Sequence, residues 1–160
     1  TTHAYGVRAD LDSYGLVGGQ PPTAASGSRL SLFKEAQAAG KRVAIINSSS
    51  VTEPGTGAFL AQVADRDDEC EIARQIVDAG PDLILGGGER FFLAAGVTGT
   101  HGEGVCAAGH DLIARAREAG YRVVYTRSEL AALPADATRV LGLFASEETF
   151  NEDSESGLHE

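Results

Sequence analysis

A carboxylate, a hydroxyl and a guanidinium lie close together in the sequence at Glu53, Thr56 and Arg66. Carboxylate and hydroxyl oxygens are the ligands that a hard cation such as Mg²⁺ prefers. A guanidinium binds phosphate through two parallel hydrogen bonds, and the acids on either side of Arg66 can hold it in place. These residue types therefore predict a site that binds a phosphate group and a magnesium ion.

Each of these residues also has an ordinary structural explanation. Glu53 fits a solvated loop acid, and Thr56 fits the N-cap of a helix. Arg66, between Asp65 and Asp67, fits a surface network of ion pairs that contributes little to stability. On residue type alone the structural explanations are favoured, and the phosphate and magnesium site is the alternative.

The predicted site follows a buried strand. Residues 43–46 form a continuous apolar run, and Pro54 with the glycine after it predicts a turn. A short helix that carries Phe59 and Val63 is expected next. Open α/β sheets bind ligands beyond the carboxyl ends of their strands, which is where these polar residues would lie.

A helical pattern that ends in Ala-Gly and leads into an apolar strand occurs three times. Gly40, Gly80 and Gly120 close these helices at positions typical of left-handed C-caps. The strands are predicted over 43–46, 83–85 and 123–125, and a helix over 128–133 with a strand over 139–144 adds a fourth unit. Apolar strands that alternate with helices predict an α/β fold, a three-layer αβα arrangement with a mainly parallel sheet.

The composition narrows the possible partners. A net charge of −10 argues against nucleic acid, because phosphate backbones are held by an excess of Lys and Arg. No apolar run reaches the roughly 20 residues that a membrane-spanning helix needs. We expect one partial α/β domain over residues 1–146 and a flexible acidic tail over 147–160, with an acidic docking segment as the alternative for the tail.

Cysteines and glycines each leave an open choice. Cys70 and Cys106 can form one disulfide or remain two thiols, while a zinc site at Cys106 with His101 and His110 fits no standard ligand spacing.

The triple glycine over 86–88 could cradle a phosphate. It lacks the P-loop and GxGxxG patterns, which favours a tight turn between strand and helix.

Three segments resemble the bacterial alkaline phosphatases in wording and order. They are AYGVRADLDSYGLVGG, then AAGKRVAIINSSSVTEPGTGAFLAQVADRDDECEIARQIVDAGPDLILGGGERFF, and finally DLIARAREAGYRVVYTRSELAAL followed by VLGLFASEETFN. The resemblance covers nearly the whole chain and is most specific in the second segment. It implies that the chain is an incomplete part of the alkaline phosphatase fold.

The resemblance also implies roles for individual residues. In that family a serine attacks a phosphate monoester, and two zinc ions and a magnesium site assist it. Arg66 matches the arginine that binds the substrate phosphate, and Glu53 stands where the family has an Asp or His near magnesium. The family's neighbouring Thr or Ser corresponds to Gly55, so Thr56 is the candidate second magnesium ligand; a shifted site or a water ligand is the alternative.

The family's remaining catalytic groups are expected outside this sequence. The nucleophilic serine is expected upstream of Thr1, and the zinc ligands are expected in other parts of the parent protein. We therefore expect a periplasmic or secreted phosphomonoesterase that needs zinc and magnesium, and an isolated chain that is inactive. Its partners would be a phosphate monoester and a second copy or the remainder of the parent chain.

The rival hypotheses are a non-catalytic α/β interaction module and, less favoured, a flavodoxin-like nucleotide-binding domain.

Overall fold

The computed structural model describes residues 2–149, which divide into two compact units. The first unit comprises the chain up to Val43 together with Thr52–Pro81, and the second comprises Ala44–Val51 together with the chain from Asp82 onward. The elements follow in the order α1 (Thr2–Tyr5), α2 (Leu32–Ala38), β1 (Ala44–Ser50), α3 (Pro54–Gly57), α4 (Glu69–Ala79), β2 (Leu83–Gly87), a 3₁₀ helix (Glu89–Phe92), α5 (Leu112–Glu118), β3 (Arg122–Val124), α6 (Arg127–Ala131) and β4 (Val140–Leu143).

The second unit is built on a four-stranded sheet in the order β1-β2-β4-β3. Every neighbouring pair of strands is parallel. The two inner strands carry its most buried side chains, and the paired residues Ile84 of β2 and Leu141 of β4 are both fully buried. The predicted α/β fold with a parallel sheet is confirmed.

Strand β1 is longer than the sequence predicted. We expected the strand to end near Asn47 and a turn rich in hydroxyls to follow, but β1 continues to Ser50, which pairs with Gly87. The amide side chain of Asn47 donates to the carbonyl oxygen of Ser50 at 3.0 Å and accepts from the N–H of Ser49 at 3.1 Å. These bonds accompany a register shift between Ile46 and Ser50, so the polar residues form an irregular end of the strand.

The three glycines that follow helices adopt the predicted conformation. Gly40, Gly80 and Gly120 have φ angles of 72°, 65° and 88°. A side chain with a β-carbon is strained at such angles, so glycine allows the chain to leave each helix toward the next strand. The remaining predicted elements differ from the observed ones by one or two residues at their ends, as is usual for helix and strand bounds.

The first unit buries one face of α4. Asp68 caps this helix by accepting from the N–H of Glu71, and Ile72, Ala73 and Ile76 are fully buried. The helix predicted to carry Phe59 and Val63 is wrong in its bounds, because α3 spans four residues, Pro54–Gly57, and ends before either of them. Val63 instead forms an antiparallel bridge with Tyr14.

Both cysteines, Cys70 and Cys106, are disulfide-bonded.

Of the predicted acidic tail, residues 150–160 lie outside the described residues. At its start, Glu147 forms an ion pair with Arg90 at 2.7 Å, and the hydroxyl of Thr149 donates to the carbonyl oxygen of Ser48. Among residues 2–149, no helix is long and apolar enough to cross a membrane.

Candidate phosphate and magnesium site

Glu53 lies at the N-terminal end of α3, within the first unit. Pro54 begins the helix, because its ring fixes φ near the helical value and its missing N–H is not needed there. The main-chain carbonyl of Glu53 accepts from the N–H groups of Thr56 at 3.0 Å and Gly57 at 2.7 Å. Glu53 is half-buried as a residue, and its side chain makes no capping hydrogen bond to the helix.

Thr56 is buried, with only 9% of its surface exposed. Its hydroxyl donates to the main-chain carbonyl oxygen of Glu53 at 3.3 Å. The N-cap position of this helix is occupied by Glu53, so the structural explanation of Thr56 as an N-cap is wrong. A hydroxyl oxygen that donates its proton keeps lone pairs with which it can also accept or coordinate.

Arg66 is held by its main chain and leaves its side chain exposed. The N–H of Arg66 donates to the carbonyl oxygen of Asp12 at 2.8 Å. The Nε atom of Arg66 lies 3.9 Å from Oδ1 of Asp67, and the two side chains are 45% and 89% exposed. Such an exposed pair is weak and is readily exchanged for another anion.

The other acids beside Arg66 serve the backbone. Oδ1 of Asp65 accepts from the N–H of Asp67 at 2.9 Å, and the side chain of Asp68 caps α4. The sequence predicted that these acids would orient the guanidinium. Of the three acids next to Arg66, Asp67 is the one that pairs with it in the described structure.

A residue that the sequence analysis did not single out connects Glu53 and Arg66. Tyr14 is buried, and its phenol O–H donates to the carbonyl oxygen of Thr52 at 2.8 Å. Burial raises the pKa of this phenol most strongly, the carboxylate of Glu53 raises it further, and the guanidinium of Arg66 opposes the rise. Both charged groups therefore influence the protonation of one buried hydroxyl.

Gly57 allows Tyr14 and the turn at Glu53 to approach each other. A β-carbon at Gly57 would lie 2.7 Å from the carbonyl oxygen of Thr52 and 3.0 Å from the ring of Tyr14. Real β-carbons essentially never come this close to backbone atoms, so a larger residue would displace the turn. The sequence contains the glycine but gives no sign of what it packs against.

The triple glycine has a structural role in the second unit. Gly88 has a φ angle of 98° at the junction between β2 and the 3₁₀ helix. A β-carbon at Gly87 would lie 2.1 Å from the carbonyl oxygen of Glu147, so glycine is needed there for close backbone packing. This arrangement agrees with the predicted tight turn.

The histidines and cysteines do not form a metal site in the described part of the chain. Nε2 of His101 is 3.1 Å from the carbonyl oxygen of Tyr125, and Nε2 of His110 is 3.0 Å from that of Phe91. Cys106 is disulfide-bonded. Between residues 2 and 149 no group of three or more His, Cys, Asp or Glu side chains could hold a metal ion.

The chain has an α/β fold with a parallel sheet, and a partly exposed guanidinium such as that of Arg66 is a group that can bind phosphate. Comparison of the sequence with known families makes this specific. The profile of the alkaline phosphatase family matches residues 1–155. The chain belongs to the alkaline phosphatase family.

Individual relatives agree with this assignment. Streptomycin-6-phosphate phosphatase from Streptomyces griseus is 32% identical, and the match covers 72% of this chain and 28% of the relative. The alkaline phosphatase of Thermus thermophilus is 30% identical with a TM-score of 0.74, and the match covers 92% of this chain and 28% of that one. The alkaline phosphatase of the Antarctic bacterium TAB5 has a TM-score of 0.75 at 18% identity, covering 98% of this chain and 41% of that one, which supports the fold alone. The chain thus spans well under half the length of each.

Proposed function

We propose that this chain is part of a metal-dependent phosphomonoesterase in which Arg66 binds the substrate phosphate and Glu53 belongs to a magnesium site. One observation carries the proposal: within a chain of the alkaline phosphatase family, the guanidinium of Arg66 is 45% exposed and its contact to an exposed carboxylate is long, 3.9 Å. The complete protein would hydrolyse phosphate monoesters through a phosphoserine intermediate. The Streptomyces griseus relative is named for such an ester, streptomycin 6-phosphate.

The guanidinium of Arg66 is suited to phosphate. It is partly exposed, and its carboxylate partner Asp67 is almost fully exposed and 3.9 Å away. A phosphate oxygen pair offers two charge-assisted hydrogen bonds to the planar guanidinium, whereas the single contact to Asp67 is long. Exchange of Asp67 for phosphate therefore favours the bound state.

The residues at the start of α3 fit magnesium. Glu53 is half-buried as a residue and its side chain makes no capping bond, and the hydroxyl oxygen of Thr56 lies next to the main chain of Glu53. Magnesium is commonly held by one or two protein oxygens and retains several waters, so Glu53 and Thr56 would hold it. Bound zinc and magnesium would supply electrostatic stabilisation of the attacking and leaving oxygens. A variant of the TAB5 enzyme carries Mg in its M3 site.

Three further points belong to the proposal. The isolated chain would be inactive, because the nucleophilic serine and the zinc ligands would come from other parts of the protein. The protein would be periplasmic or secreted, and the disulfide-bonded state of both cysteines supports an oxidising compartment. The chain would associate with a second copy or with the remainder of the parent chain.

The test is binding of inorganic phosphate to the 160-residue chain, measured by isothermal titration calorimetry. Arg66→Ala should weaken binding by about tenfold, since a charge-assisted hydrogen bond contributes on the order of 1.5 kcal/mol or more. Arg29→Ala is the matched control, because Arg29 is an exposed arginine of the same unit and its removal changes the net charge equally. An equal effect of the two variants would show that Arg66 has no specific role.

A second assay addresses activity. Hydrolysis of para-nitrophenyl phosphate at alkaline pH with zinc and magnesium should not be detectable for the isolated chain. Metal-dependent turnover that disappears in Arg66→Ala would overturn the expected inactivity, because it would place a complete catalytic site within these residues.

A further inference from the structure

We infer that Tyr14 is the positioning residue of the site: its phenol fixes the peptide before Glu53, and its main chain holds the segment that leads to Arg66. The inference rests on the proposed function of that site. Tyr14 would not touch the substrate. It would set the relative position of the carboxylate and the guanidinium, which come from segments on either side of α3.

The main chain around Tyr14 is tied to the segment before Arg66. The N–H of Tyr14 donates to the carbonyl oxygen of Val63 at 2.9 Å, and the N–H of Val63 donates back to that of Tyr14 at 3.2 Å. The N–H of Arg66 bonds to the carbonyl oxygen of Asp12 at 2.8 Å. The paired bonds form a short antiparallel bridge, so the backbone around Tyr14 is held against the segment that leads to Arg66.

The side chain of Tyr14 is tied to the turn at Glu53. Its O–H reaches the carbonyl oxygen of Thr52, which belongs to the peptide whose N–H is that of Glu53. The bond is 2.8 Å long and buried, so water does not compete for either atom. It therefore restricts rotation of the peptide that orients Glu53.

The phenol keeps its proton under the conditions in which an alkaline phosphatase is assayed. Burial and the neighbouring acids Glu53, Glu69 and Asp67 raise the pKa of Tyr14, and Arg66 only partly opposes them. The neutral O–H is therefore available as a donor in alkaline solution. An ionised phenolate could not make this bond and would repel the carbonyl oxygen.

A second tyrosine separates positioning from packing. Tyr5 is as buried as Tyr14 and belongs to the same unit, where it packs with Ala4 and Ala24. Its ring packs beside Gly15, whereas the described phenol hydrogen bond to the carbonyl oxygen of Thr52 comes from Tyr14. Tyr5→Phe removes an equivalent buried oxygen of the same unit and leaves the O–H of Tyr14 in place.

The experiment compares phosphate affinity and thermal stability of the 160-residue chain, measured by calorimetric titration and circular dichroism. Tyr14→Phe keeps the ring against Gly57 and removes only the O–H. It should weaken phosphate binding by up to about threefold, because the turn at Glu53 loses its bond to Tyr14 while the main-chain bridge near Arg66 remains. Tyr5→Phe should leave the affinity unchanged. Replacement of Tyr14 by 4-aminophenylalanine, which restores a donor at the same ring position, should recover most of the affinity.

The outcomes separate this inference from the proposed function. Affinity that falls in Arg66→Ala but is unchanged in Tyr14→Phe overturns the positioning role and leaves the proposed function standing. Affinity that is unchanged in Arg66→Ala overturns both. Equal losses in Tyr14→Phe and Tyr5→Phe, or no recovery with 4-aminophenylalanine, would mean that the loss reflects general packing and would also overturn the inference.

Discussion

The backbone N–H of Arg66 donates a 2.8 Å hydrogen bond to the carbonyl oxygen of Asp12. The contact uses no side-chain atom of either residue, so the position of Arg66 in the fold does not depend on its guanidinium. The guanidinium is 45% exposed and is attached to a fixed backbone. The backbone N–H of Arg66 therefore holds the residue in place, and the guanidinium can be removed without breaking that bond.

Arg66→Ala should leave the free energy of unfolding unchanged to within about 0.5 kcal/mol, as for other surface substitutions. Arg74→Ala is the informative comparison, because the guanidinium of Arg74 bonds to Glu71 and to Asp78 on the same helix. Losing these pairs should cost about 0.5–1 kcal/mol. Urea unfolding measures both values, and a larger loss in Arg66→Ala than in Arg74→Ala would contradict the backbone anchor.

Two glycines of α3 should respond oppositely to alanine. A β-carbon at Gly55 meets no atom within 4 Å, whereas one at Gly57 lies 2.7 Å from the carbonyl oxygen of Thr52. Gly55→Ala should be neutral or slightly stabilising, and Gly57→Ala should destabilise the chain by about 1–3 kcal/mol. Thermal unfolding distinguishes them, and equal stabilities would show that the close approach at Gly57 is not a constraint.

Removing the buried carboxylate of Glu89 should destabilise the second unit. Glu89 is 1% exposed, and its two oxygens accept from the N–H groups of Thr100 at 2.8 Å and His101 at 2.5 Å. Glu89→Ala leaves both donors without this acceptor and should cost about 2–4 kcal/mol, while Glu89→Gln retains one acceptor and should cost less. Hydrogen exchange at residues 100 and 101 provides the local measurement. Unchanged protection of these amides in Glu89→Ala would contradict the assignment.

Stability should fall as the pH rises above about 10. Burial raises the pKa of Tyr121 to about 12, with a smaller contribution from Asp82 and an opposing one from Arg139. The unfolded chain therefore loses this proton near pH 10, while the folded chain keeps it until about pH 12. Since the folded state binds more protons in this interval, the free energy of unfolding decreases with rising pH.

Tyr121→Phe should make that decrease shallower. The measurement is urea unfolding of both proteins between pH 9 and about pH 11.5, where the native Tyr121 still holds most of its proton. Tyr5, Tyr14 and Tyr125 have raised pKa values as well, so a residual decrease is expected in the variant. Identical slopes for the two proteins would contradict the shift at Tyr121.

Ile46 should promote association of the isolated chain. It is 64% exposed on β1, which is the outer strand next to β2 in the described sheet. An exposed apolar side chain on an outer strand favours pairing with another chain. Ile46→Lys should reduce the self-associated fraction in analytical ultracentrifugation, and Val97→Lys, at a loop position with 46% exposure, should reduce it less.

Local signals in the sequence were sufficient for most of the fold. The helices that precede Gly40, Gly80 and Gly120 and the apolar strands that follow these glycines were predicted correctly in type and order. Periodicity and left-handed glycine caps are properties of consecutive residues, so they can be read without knowing the tertiary structure. The bounds were less accurate, because β1 continues to Ser50 through an irregular, polar segment that apolar periodicity does not indicate.

The site could be predicted only in its residue types. The sequence determined that a carboxylate at Glu53 and a guanidinium at Arg66 flank a short helix, and that the chain resembles the alkaline phosphatases. Only the tertiary structure decided that Tyr14, far away in the sequence, connects the two through Thr52 and Val63. The physical reason is that these bonds form when distant backbone segments meet and exclude water, and nothing in the neighbouring residues of Tyr14 encodes that meeting.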